Sequence, residues 1–153
     1  MSDPTLRALH SHSFLSGLGA EQLERLASLA SEAVFTENDV ILRAGDRSEF
    51  FYLLTAGSVA VELRTAHYSV CVEAVGPGQA FGWSALLDHR DALFQVRARE
   101  TTRALRFEGA GLSEACRTDP TLGAEIYRRT LEVAANRVKA TELRFAEMCG
   151  VRL

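Results

Sequence analysis

Apolar residues recur along the chain with two different periods. In GLGAEQLERLASLASEAV, Leu18, Leu23, Leu26, the adjacent Leu29 and Ala30, and Val34 return at three- to five-residue steps, the signature of one helix face. Gly19 serves as its N-cap, Gln22 stands three residues on, and Glu21 with Arg25 forms an i,i+4 pair. The N-terminal helical part is expected over about residues 5–32. From there the period shortens. The runs VILRAGD, EFFYLLTAGSVAVEL, YSVCVEAVGPGQAFG, FQVRA and RALRF are short, rich in β-formers and broken by Gly, Pro and Asp. Within SVAVEL, Val59, Val61 and Leu63 alternate with Ser58, Ala60 and Glu62, so one face is apolar. Many short strands with close turns predict a jelly-roll β-barrel over about 33–107.

The last third is helical again. Asp119 reads as an N-cap with Pro120 at the first helical position, and the C-terminal helices are expected over about 109–148, the second running from about Pro120 to Met148. Along that long helix Tyr127, Leu131, Ala134, Val138, Thr141, Phe145 and Met148 are spaced as a heptad seam. The stripe outlasts what a small barrel can cover, so parallel pairing of two copies is expected. The alternative is that the seam packs on the barrel, as amphipathic helices usually do.

Composition narrows the functional classes. The chain has 153 residues, suited to a single domain over 1–153, and 47% of them are hydrophobic, enough for a core. A net charge of −3 gives no basic field to attract nucleic acid or anionic lipid. No long apolar run and no apolar N-terminal leader appear, so the expected location is the cytoplasm, with no membrane partner. Cys71, Cys116 and Cys149 lie far apart and lack zinc spacing, and they are expected to be reduced. His10, His12, His67 and His89 are scattered, the first two expected on the surface, and no nucleophile elbow, HExxH or P-loop is present. Neither a metal site nor a catalytic residue is expected.

Two motifs in order carry a resemblance. The runs ILRAGDRSEFFYLLTAGSVAVEL and GPGQAFGWSALL resemble the signatures of cyclic nucleotide-binding domains of the catabolite activator protein-like family, over roughly residues 10–148. The resemblance implies an α+β, mainly β fold: a β-roll with an N-terminal helix and two C-terminal helices, the last one long. It also implies a phosphate-binding cassette from Phe81 to Ala98. In the family a glutamate follows the cassette glycine and holds the ribose, and an arginine nine residues later neutralises the cyclic phosphate. Here those places are held by Trp83 and Ala92, and the neighbouring proline's place by Asp91. The frame of Phe81, Gly82, Ala85, Leu86, Leu87, Val96 and Ala98 is kept. Two charge-assisted hydrogen bonds contribute about 1.5–3 kcal/mol each, so their loss weakens binding roughly 100-fold to 10,000-fold.

The candidate ligand pocket is therefore Phe81, Gly82, Trp83, Ser84, Ala85, Arg90, Ala92 and Leu93. Two readings of it stay open. In one, Trp83 fills the vacated cavity and Asp91 repels phosphate. In the other, Arg90 swings in as the phosphate partner, Trp83 stacks on a planar ligand, and His89 assists. No resident cofactor is expected; haem or iron–sulfur sensing would need ligands that are not visible, since no cysteine precedes Cys71. Only Gly150, Val151, Arg152 and Leu153 follow the long helix, so no helix-turn-helix and no direct DNA contact is expected. The function implied is a stand-alone, non-enzymatic sensor or regulatory protein, with a hinge near Gly109 to Gly111. A ligand-free module for a protein partner is the alternative.

Overall fold

The computed structural model describes residues 3–87, 91 and 94–151. Helix α1 spans Pro4–Ser11 and is followed by a 3-10 turn at Ser13–Leu15 and helix α2 at Ala20–Leu29. Eight strands come next: β1 Ala30–Phe35, β2 Val40–Leu42, β3 Phe50–Ala56, β4 Val59–Arg64, β5 Ser69–Val75, β6 Ala80–Phe81, β7 Gln95–Ala98 and β8 Thr102–Glu108. A second 3-10 turn, Trp83–Leu86, precedes β7, and helices α3 Gly109–Thr118 and α4 Pro120–Met148 close the chain.

The strands form two antiparallel sheets of four, in the orders β1-β8-β3-β6 and β2-β7-β4-β5, the jelly-roll barrel that the strand pattern predicts. Alternation along β3 divides the core. Phe51 and Leu53 join Leu105 and Phe107 in a cluster under the helices, with Leu9, Phe14, Leu26, Leu112, Leu122 and Ile126. Tyr52 and Leu54 turn the other way, into the roll, beside Val59, Val61, Val75, Phe81 and Val96. The two clusters are the faces of one sheet, so the helices and the roll interior share a wall.

Two sequence readings are corrected. Helix α2 stops at Leu29, and Ala30–Phe35 pairs with β8 residue for residue from Ala30↔Phe107 to Phe35↔Thr102. The helical spacing of Ala30 and Val34 is incidental: in the strand Ala33 is buried and Val34 is exposed. Val34 and Phe35 are β-formers, and the ladder with β8 buries Ala33. His12 is buried, although its neighbours His10 and Ser11 are exposed. Its Nε2 lies 2.9 Å from the carbonyl of Leu54, and its Nδ1 accepts from the Phe14 amide at 3.3 Å. The ring thereby ties the first 3-10 turn to β3.

Helix α4 opens as the sequence predicts, with Pro120 in its first turn and the Asp119 carboxylate accepting from the Leu122 amide at 3.1 Å. Gly123 lets it cross α3 closely, since a Cβ there would lie 2.5 Å from the Cys116 carbonyl oxygen. Gly109 to Gly111, where a hinge is expected, follow β8 directly and form the first turn of α3, and the Gly109 amide donates to Glu49 O at 2.8 Å. Among the described residues no helix is long and apolar enough to cross a membrane.

Candidate functional site

Strand β6 delivers the site's frame. Phe81 pairs with Tyr52 across β3, is wholly buried, and stacks on the Tyr52 ring at 4.7 Å with only 8° between the planes. Gly82 then takes a left-handed φ of 79°, where a Cβ would meet Phe50 O at 2.7 Å. Only glycine makes that turn without displacing β3. The 3-10 turn that follows is closed by Ala85 N to Gly82 O at 3.1 Å and Leu87 N to Ser84 O at 3.0 Å. Ser84 and Ala85 are half-buried on it.

Trp83 and Leu86 are three residues apart on this turn and so share a face. Both pack against the cluster under the helices, not the cluster inside the roll. The indole is thus directed at the wall the helices rest on. Ala85 abuts the start of α3: a Cβ on Gly109 would fall well inside contact distance of the Ala85 carbonyl oxygen. Arg90, Ala92 and Leu93, with His89, lie outside the described residues. Asp91 is exposed and forms an isolated antiparallel bridge with Arg47.

The interior cluster is bordered by half-buried apolar residues, Phe35, Ile41, Leu42, Phe50 and Phe94. Along this rim α4 contributes a group that sequence reasoning missed. Arg137 Nε donates to Glu73 Oε2 at 2.5 Å, and the guanidinium stands 5.7 Å from the Phe94 ring centroid. Glu73 pairs with Val61 across β4 and β5, so it shares the interior face with that buried valine. The signal was available: Ile126, Thr130, Val133 and Arg137 run at helical spacing along one face of α4, each buried or half-buried.

The heptad seam runs along a different face. Leu131 is 68% exposed and Phe145 69%, with Tyr127, Val138 and Met148 also exposed, while Ala134 and Thr141 are half-buried. Thr141 Oγ1 donates back to the Arg137 carbonyl at 2.7 Å. The seam does not pack on the roll.

On the sheet's outer face Glu62 is buried, accepting from Arg97 Nε and Nη2 at 2.9 and 2.8 Å and from Gln95 Nε2 at 3.2 Å. The Arg97 guanidinium holds the Glu62 carboxyl below its ordinary range. With Arg97 Nη1 on Asn38 Oδ1, this pair fastens β4 and β7 to the turn before β2. Among the described residues, no group of three His, Cys, Asp or Glu side chains could hold a metal ion.

Comparison with known proteins agrees with this geometry. The family model described as cyclic nucleotide-binding domain matches residues 32–119. A solved protein from Geobacter metallireducens, described as cyclic nucleotide-binding, is 26% identical with a TM-score of 0.75, covering 90% of this chain and 99% of its own. A cyclic nucleotide-binding domain from Methylobacillus flagellatus has a TM-score of 0.77 at 18% identity, covering 94% of this chain and 82% of its own. The regulatory subunit of a cAMP-independent protein kinase A from Trypanosoma brucei has a TM-score of 0.72 at 23% identity, with 84% of this chain matched to 46% of that one. No curated protein matches the chain.

Proposed function

The chain belongs to the cyclic nucleotide-binding domain family, and from that premise we propose a non-enzymatic regulatory sensor whose hold on cAMP and cGMP is weak or lost. It works in the cytoplasm as a homodimer joined through α4. One observation carries the reading: the Gly82 turn keeps its backbone, yet the next residue is Trp83, an indole packed toward the helices where a carboxylate would be needed to accept from a sugar hydroxyl. Ala92, nine residues further on, has no charge for a phosphate. The T. brucei relative, described as part of a cAMP-independent kinase, supports regulatory use of this fold without cAMP.

The exposed seam of α4 supports the dimer. Leu131, Val138 and Phe145 leave a continuous apolar stripe in water along a helix of 29 residues. Contact from Ala85 to Gly109 gives a route from the site to α3 and α4.

Thermal unfolding with cAMP and with cGMP at about 1 mM tests the ligand reading. A site with a Kd of about 10 μM would gain about 2.7 kcal/mol under those conditions. The expected shift is close to zero for both nucleotides, and a clear rise with either contradicts the proposal.

A further inference from the structure

A charge on the body-facing side of a helix is costly unless its surroundings compensate it. Arg137 sits there with its side chain 8% exposed, and it is the one arginine or lysine buried among the described residues. Glu73 explains part of the placement, since it accepts from Nε. A guanidinium carries five donors, however, and two of its nitrogens lie beyond Nε. Among the described residues neither terminal nitrogen has an acceptor, and neither is sealed away without one, so both keep access to the surface. The result is an oriented, two-pronged donor edge whose far side is already pinned by a carboxylate.

What surrounds that edge is apolar. The guanidinium lies over Phe94, which packs on the interior cluster and follows Ala92 by two residues. We propose that Arg137 is the anion contact of the roll's rim, and that the site takes a small organic oxyanion with a planar apolar body. The oxyanion accepts from Nη1 and Nη2, a geometry the planar guanidinium suits, and the flat body lies along Phe94. Glu73 orients the fork and, by its own charge, limits affinity. Because Arg137 is carried on α4, occupancy acts on the long helix directly. This names a ligand class for the sensor proposed above and rests on that reading.

The test is titration calorimetry on the full chain with 1-naphthyl phosphate, with 1-naphthol as the uncharged control and cAMP as a separate arm. Wild-type protein binds the phosphate and not the naphthol. Arg137→Gln weakens binding roughly tenfold or more, and Glu73→Gln strengthens it at least about threefold. Both substitutions break the same ion pair, so mere loosening of α4 moves them in the same direction. The assignment is overturned if Arg137→Gln binds like wild type, if naphthol binds as well as its phosphate, or if neither wild type nor Glu73→Gln binds the probe. Tight cAMP binding that is indifferent to Arg137→Gln would instead sink the wider reading of lost nucleotide contacts.

Discussion

Gly109 leaves no room for even a methyl group, because the Ala85 carbonyl stands where its Cβ would be. The obstacle is backbone, so Gly109→Ala must push the Trp83–Leu86 turn and α3 apart. A loss of about 1–3 kcal/mol is expected, read as a lower urea midpoint; an unchanged midpoint would show that the two elements are not in close contact. His12 makes a second prediction. Its ring bridges Leu54 O and the Phe14 amide only when neutral, and burial lowers its pKa below the ordinary 6.5. The unfolded chain therefore binds the proton more readily, and His12 costs stability as pH falls from about 6.5 toward the lowered value. Above that window the effect is absent. Melting temperature measured from pH 8 to 5 should fall in this window for wild type and less for His12→Gln; parallel profiles would contradict the assignment. At this scale the sequence was least legible. The identities of Trp83 and His12 were plain, but their directions depend on which wall of β3 each one meets, which no local pattern encodes.

Elements were read better, and the exceptions have a common cause. Asp119 and Pro120 marked the start of α4 because capping is local chemistry. The end of α2 was misplaced because Ala30 and Val34 happen to continue its spacing, while the deciding interaction, the ladder with β8, pairs Ala30 with Phe107 and Val34 with Arg103, far along the chain. Helix α4 carries two stripes. Ile126 and Arg137 face the body, whereas Leu131, Val138 and Phe145 face water. The seam was visible as a heptad; the body-facing row was hidden because its last member is an arginine. Leu131→Asp with Val138→Asp puts charge on positions already exposed, so the monomer keeps its fold. Sedimentation should then report the mass of one chain in place of two, and an unchanged mass would reject pairing through this face.

For the whole molecule, the roll and its helices form one device because β3 lies between their cores. Tyr52 supports Phe81 and the Gly82 turn from inside, Phe51 supports α3 and α4 from outside, and Ala85 meets Gly109 where the two systems join. The architecture was legible from strand spacing and two motifs, and the changed residues at Trp83 and Ala92 could be read against that frame. The central claim is that the frame persists while the two nucleotide contacts are gone. Calorimetric titration of cAMP into wild type and into Trp83→Glu with Ala92→Arg tests it most directly. The account predicts negligible heat for wild type and an affinity gain of at least roughly 100-fold for the double variant. Tight binding by wild type, or none by a folded double variant, would contradict it.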